Sequence, residues 1–249
     1  MTVIDILLKK RGLITAKAVE DFFSPKSPEK ISLEQLGINA KAVASALKLI
    51  QKAIKAGRPI YVYGDYDADG ISATAVLWEA LYQLKAKVMP YISARNEPVR
   101  GLSVKGLSSF EAKSLVITVD NGITSFEAAE YAQKTGIDLI ITDHHQPKNT
   151  LPPAAAVVHT TQLAGVGVAW FLSRELGGND NLDLATIGTI ADMVPLLGAN
   201  RSLVKHGLTK LQTSTRPGLK ALSQAAAVDL AKITPHQVSF TLAPRLNAI

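Results

Sequence analysis

The chain has 249 residues, 47% of them hydrophobic, enough to bury a real core as one large domain or two small ones. It contains no cysteine, which excludes disulfides and thiolate metal sites, and no run that approaches the roughly eighteen apolar residues of a membrane helix. The net charge of +6 is unevenly placed: from Met193 onward seven basic residues (Arg201, Lys205, Lys210, Arg216, Lys220, Lys232 and Arg245) face one acid, Asp229, whereas the preceding 192 residues hold twenty of each sign.

In chain order, the opening MTVIDILLKKRG lacks the charged start, long apolar stretch and cleavage site of a signal peptide, so a cytoplasmic protein is expected. Residues 1–40 are expected to form a helical extension. Residues 42–54 carry Val43, Leu47, Ile50 and Ile54 at 4-3-4 spacing, which predicts an amphipathic helix closed by Gly57. Residues 59–63 are a short β-rich run leading into Asp65, Asp67 and Asp69; residues 71–84 are helical in composition and 87–92 read as the next strand. Residues 114–119 (SLVITV) and 138–142 (DLIIT) are near-continuous apolar runs, the pattern of strands buried on both faces, with a helix predicted over 125–134 between them. Residues 165–176, 182–190 and 218–227 look helical, and Trp78 and Trp170 sit in apolar helical contexts that suit a core. Alternating strands and helices predict an α/β fold, a mostly parallel sheet flanked by helices, over residues 41–195, followed by a mainly helical basic segment over 196–249. The basic segment suits either a polyanionic partner such as nucleic acid or a solvated surface.

GDYDADG raises the question of a calcium loop. Counted from Asp65, positions 1, 3, 5 and 6 of an EF-hand all match, but position 12, where a bidentate glutamate belongs, is Val76, and a strand rather than a helix precedes the loop. The EF-hand reading therefore fails. The strand–acid pattern then recurs, as 114–119 run into Asp120-Asn121-Gly122 and 138–142 into Asp143-His144-His145. Open α/β sheets place ligands beyond the carboxyl ends of their strands. A single acid there is ordinarily a helix N-cap, but carboxylates and imidazoles at three successive strand ends predict a shared cluster. Mutual repulsion would destabilise such a cluster without cations, and an Asp/His mixture suits Mn²⁺, Mg²⁺ or Zn²⁺.

DYDADG, VDNG, TDHH and GTIADMVPL stand in the order of the motifs of the DHH phosphoesterase superfamily, which this sequence resembles. GDYDADGISATA, the GLS of residues 101–103, VITVDNGI, ITDHH, LPPA, LAGVGVAW, IGTIADMVPL and APRLNA look similar to its RecJ branch of single-strand-specific exonucleases. The resemblance implies a metal-dependent phosphodiesterase holding two divalent ions, Mn²⁺ or Mg²⁺, that hydrolyses single-stranded DNA 5′→3′. Asp67, Asp69, Asp120, His144 and Asp192 match the metal ligands, with Asp120 bridging. Read alone, Asp192 would be a surface acid or an N-cap. Asp65 matches a further acid at or just behind the metals, Asp143 would orient the neighbouring imidazole, and His145 would contact the scissile phosphate. Gly165 and Gly167 would either admit backbone to a phosphate at a helix N-terminus or permit tight helix packing, and Arg245 and Asn247 could meet phosphate or base. A phosphodiesterase for short oligonucleotides or cyclic dinucleotides is a second reading. A non-catalytic Cdc45-like nucleic-acid scaffold is a third, and it predicts eroded motifs. The sequence departs from the branch at Arg100-Gly101, which replaces Tyr-Gly, and at His159-Thr160-Thr161, which replaces an Asn-Pro-type turn; with APRLNAI as its last residues, before any DHH-associated or OB domain, either a fragment or a minimal relative is expected.

Overall fold

The computed structural model describes residues 2–96, 99–178 and 181–248. Helices α1 (Val3–Lys10) and α2 (Ala16–Phe23) open the chain and bury none of their residues, and 3-10 turns at Pro28–Lys30 and Glu34–Leu36 lead to α3 (Ala40–Lys55). Asn39 caps α3 by accepting from the amides of Lys41 and Ala42, and the helix buries Val43, Ala46, Ile50 and Ala53 on one face.

The central layer then follows as β1 (Ile60–Gly64), α4 (Ala68–Gln83), β2 (Val88–Ile92), α5 (Val104–Ser108), β3 (Leu115–Val119), α6 (Phe126–Thr135), β4 (Asp138–Asp143), β5 (Ala156–His159), α7 (Gly165–Glu175) and α8 (Leu182–Ala191). The five strands are parallel in the order β2-β1-β3-β4-β5. Side chains alternate across the sheet. Ile60, Val62, Leu115, Ile117, Val119 and Ile140 pack with α3, α4, α7 and α8, while Tyr63, Val116, Leu139 and Ile141 pack with α5 and α6. Burial on both faces is why β3 and β4 read as continuous apolar runs. At about 1.5–3 kcal/mol per buried large aliphatic side chain, these two faces supply most of the fold's driving force.

The chain leaves β1 toward β2 and returns on the other side of β1 to form β3, so the carboxyl ends of β1 and β3 flank the point where the strand order reverses. Such a point leaves a crevice at the sheet edge. Its register matters: Gly64 pairs with Val119, so the next residue of each strand is Asp65 on one side and Asp120 on the other. Thr118 pairs with Ile141, which puts Asp143 level with Asp120 two residues on.

Beyond α8 come α9 (Gly198–Gln212), α10 (Pro217–Ala225), the single turn α11 (Pro235–Gln237), a π-helical stretch Val238–Leu242 and α12 (Ala243–Asn247). Ile187 and Ile190 of α8 pack with Val204, Leu211, Leu219, Ile233, Val238 and Leu242 in a third cluster, so the segment after Met193 is built onto the back of α8. Trp170 is buried and Trp78 packs against the core, as their contexts predict. Among the described residues no helix is long and apolar enough to cross a membrane.

Candidate metal centre

Three strand ends and one helix end converge in the crevice. After β1, Asp65 is 2% exposed and its Oδ1 accepts from the Tyr66 amide at 2.8 Å. Asp67 is the N-cap of α4, with Oδ1 accepting from the amides of Asp69 (3.1 Å) and Gly70 (3.0 Å). Asp69 follows in the first turn, and its two carboxylate oxygens accept from Gly165 (2.7 Å) and Val166 (2.9 Å) at the N-terminus of α7. Two amides and a helix dipole thus fix this carboxylate.

After β3, Asp120 has φ +62°, a left-handed conformation that aspartate tolerates at some cost and that turns its side chain back toward α4 and α7. After β4, Asp143 is buried and accepts from the amides of Ile123 (2.9 Å), His144 (2.7 Å) and His145 (3.2 Å). It also takes the His145 Nδ1–H at 2.7 Å. The ring that Asp143 orients is therefore that of His145, whose side chain is half exposed. The His145 carbonyl in turn accepts from His159 Nε2 at 2.7 Å. Asp192 caps the C-terminus of α8, and Met193 at φ +60° ends the helix there. His144 lies between the strands and this helix, with Nε2 3.1 Å from Asp120 Oδ1 and Nδ1 3.7 Å from Asp192 Oδ2.

Oxygen and nitrogen atoms of Asp65, Asp67 and Asp120 lie within 4.8 Å of one another, as do those of Asp69, His144 and Asp192, and His144 beside Asp120 joins the two sets. Asp120 Oδ1, His144 Nε2 and Asp192 Oδ2 are buried atoms without a hydrogen-bond partner; the 3.1 Å approach of the first two is not aligned for one. Buried acceptors left unpaired are costly in any fold. Oxygen donors with one imidazole, converging and unpaired, fit divalent cations of the Mn²⁺ or Mg²⁺ type.

The electrostatics carry the same sign. Burial, then the charges of Asp120 and Asp192, push the Asp69 carboxyl well above the usual carboxylate range, against His144 and the Val166 amide. Burial, with Asp67 next, does the same to Asp120, and burial also raises Asp192. Asp143 goes the other way: burial alone would raise it, but the hydrogen bond and charge of His145 and the amides pull it down. The Asp143 hydrogen bond raises His145 in return. Three carboxyls and one imidazole, all shifted toward their protonated forms, describe a pocket short of positive charge.

Of the two readings of Gly165 and Gly167, close packing is the one with contacts in the structure. The Gly165 amide is taken by Asp69, and a Cβ at this position would lie 2.5 Å from Asp120 Cβ and Oδ1, so glycine here lets α7 come up against Asp120. Gly167 is buried against Leu163 and Leu203, the packing alternative. Asn247 reaches the site, its Oδ1 accepting from the Ala68 amide at 2.7 Å beside Asp67, whereas the Arg245 guanidinium turns back to the Thr241 carbonyl at 2.6 Å. Two arginines reach the same loop. Arg100 meets Asp65 and Asp67, and Arg95 donates to the Asn247 carbonyl and lies 4.5 Å over the Tyr66 ring. Arg95 carries no sequence signal apart from lying in the loop after β2, and His159, which braces His145, reads only as part of an altered turn.

The chain is 40% identical over 257 aligned positions to the single-stranded-DNA-specific exonuclease RecJ of Bacillus subtilis, an alignment covering 98% of this chain and 32% of that protein. The chain thus spans about a third of that relative's length. Its structure is similar to a crystal structure of exonuclease RecJ bound to manganese (TM-score 0.74, 37% identity, 83% of this chain and 57% of the other). It is also similar to RecJ from Thermus thermophilus in complex with Mn²⁺ (TM-score 0.77, 34% identity, 97% of this chain and 36% of the other). Residues 59–194, from the start of β1 to just past Asp192, match the DHH family, N-terminal domain. With more than half of its length inside that match, the chain belongs to the DHH family.

Proposed function

We propose that this chain is the catalytic region of a metal-dependent exonuclease that hydrolyses single-stranded DNA in the 5′→3′ direction. The observation that carries the reading is the set of partnerless, buried donor atoms on Asp120, His144 and Asp192, at the sheet edge where Asp65, Asp67 and Asp69 also end. The kind of substrate and the direction rest on likeness to the RecJ proteins, two of whose structures carry Mn²⁺.

Asp67, Asp69, Asp120, His144 and Asp192 are the proposed ligands of two divalent ions, with Asp120 between them and Asp65 beside Asp67. When bound, such ions lower the pKa of a water molecule and neutralise charge on a phosphoryl group under in-line attack. The chain's own groups do the positioning. The Gly165 and Val166 amides hold Asp69 in one orientation, so it need not reorganise when a cation arrives. Asp143 fixes the His145 tautomer with the proton on Nδ1 donated to the carboxylate. The Asp143 hydrogen bond raises the pKa of the ring and so favours the imidazolium, whose Nε2–H is a charged donor for a phosphate oxygen. His145 is half exposed, as a group that meets substrate must be.

The test is to incubate the protein with Mn²⁺ and end-labelled single-stranded DNA, duplex DNA, short RNA and a cyclic dinucleotide, beside Asp120→Ala. Mononucleotides released from single-stranded DNA, and lost by about a thousandfold or more in the variant, are expected. Turnover of short oligonucleotides or cyclic dinucleotides alone would replace this reading with a small-substrate phosphodiesterase. Binding of DNA with no cleavage would replace it with a scaffold.

A further inference from the structure

Arg100 enters the acidic loop from the segment between β2 and α5. Its Nε lies 2.8 Å from Asp65 Oδ2 and its Nη2 3.0 Å from Asp67 Oδ2, so one planar fork spans two carboxylates. Asp65 Oδ1 and Asp67 Oδ1 already accept backbone amides, which leaves Oδ2 of each without a backbone partner. Those two Oδ2 atoms are the ones the guanidinium covers. The other half of the centre differs. Asp69 is also held by amides, but these are neutral dipoles that leave its charge in place, and the His144 and Asp192 donor atoms beside it have no partner.

We propose that Arg100 is a resident cation of the Asp65–Asp67–Asp120 half of the centre and sets the order in which divalent ions load. An ion enters the Asp69–His144–Asp192 half unopposed, and enters the Asp65–Asp67–Asp120 half only by displacing the guanidinium. The Arg100 side chain is 59% exposed, and ion pairs of that exposure are weak, so the guanidinium acts as a reversible competitor and not a permanent block. Tyr66, whose ring centroid lies 5.1 Å from the Arg100 guanidinium carbon, gives the displaced group a nearby π-face. The inference rests on the proposed two-ion centre and adds to it an unequal affinity with a named cause.

Mn²⁺ titration of metal-stripped protein, followed by calorimetry and by the electron paramagnetic resonance of free Mn²⁺, tests it. Wild type, Arg100→Ala, Arg100→Lys and the surface control Lys232→Ala are compared, with circular dichroism to verify folding. Two binding steps are expected in wild type. In Arg100→Ala the weaker step should tighten by about tenfold while the stronger one stays within about twofold. Arg100→Lys should fall between, because a point charge on a flexible stem cannot span both carboxylates, and it serves alone if the alanine variant does not fold. A wild type that stops at one ion while Arg100→Ala takes two supports the proposal equally. A weaker step that does not move, or two steps that tighten together as general charge removal would cause, overturns the role of Arg100 and leaves the metal centre standing. No Mn²⁺ uptake by any of the proteins overturns the metal centre as well.

Discussion

Asp120 is the residue on which the centre turns. It is 2% exposed and sits in a left-handed conformation; burial raises its pKa, and the charges of Asp67, Asp143 and Asp192 raise it further. Without a cation its buried charge is a liability to the fold; in the proposed centre it is the point where two ligand sets meet. Asp120→Asn removes the charge while keeping the shape and a residue type that accepts positive φ. The variant should therefore raise the metal-free stability by about 1 kcal/mol, a shift of roughly 2–4 °C in melting temperature, while abolishing Mn²⁺-dependent cleavage. Differential scanning calorimetry in chelator and a nuclease assay in Mn²⁺ read the two effects separately. A variant less stable than wild type in chelator would mean that Asp120 is a structural acceptor and not a strained ligand.

Among the elements, the approach of α7 to the sheet edge decides the geometry. The helix brings two amides to Asp69 and can do so only because residue 165 has no Cβ to meet Asp120 at 2.5 Å. Gly165→Ala should destabilise the protein by about 1–3 kcal/mol, as overpacking does. It should also weaken Mn²⁺ binding, since Asp69 and Asp120 would both have to move. Chemical denaturation and metal titration check the two, and an alanine variant with unchanged metal affinity would show that the helix end does not position the ligands. The elements differ in how far the sequence announces them. β1, β3 and β4 are legible because burial on both faces demands continuous apolar runs, and the acids after them follow from the register. β5, four residues at the sheet edge within LPPAAAVVHTTQ, lies in an apolar run made mostly of proline and alanine, which do not favour strand, and is not predicted. Helix α9 is hidden for a different reason. It carries Gly207 where a Cβ would strike the Leu182 carbonyl at 2.5 Å, so close crossing with α8 requires a residue that lowers helix propensity. Asp192 at the end of α8 has no strand before it, and only likeness to a family motif singles it out. Arg100 is visible as a departure, but its pairing across two carboxylates needs the loop's path through space.

At the scale of the whole molecule, the basic excess after Met193 is largely tied into the fold. Arg201 donates to the Phe22 carbonyl and lies 3.4 Å over its ring, Lys205 donates to the Phe23 carbonyl, and Arg216 pairs with Glu79 and Asp183. These contacts anchor α9 to the N-terminal helices and the loop before α10 to α4 and α8. The charge on which the proposed function rests lies instead in the crevice, where it would link metal, proton and stability. Asp69, Asp120 and Asp192 have raised folded-state pKa values, so above the unfolded value of about 3.9 the metal-free native state binds more protons than the unfolded chain. Its stability therefore falls as pH rises through that window. Divalent ions compete with those protons, so the gain in melting temperature on adding Mn²⁺ should be larger at pH 8 than at pH 6. Thermal melts at both pH values with and without chelator measure this, and a gain independent of pH would separate metal binding from these three carboxyls.

The central claim is that two ions share Asp120 at the point where the strand order reverses. Anomalous diffraction from crystals soaked in Mn²⁺ tests it most directly. Two peaks about 4 Å apart are expected, one against Asp67 and Asp120 and the other against Asp69, Asp120, His144 and Asp192. A single peak at saturating Mn²⁺ in wild type and in Arg100→Ala alike, or peaks only at surface carboxylates, would contradict it.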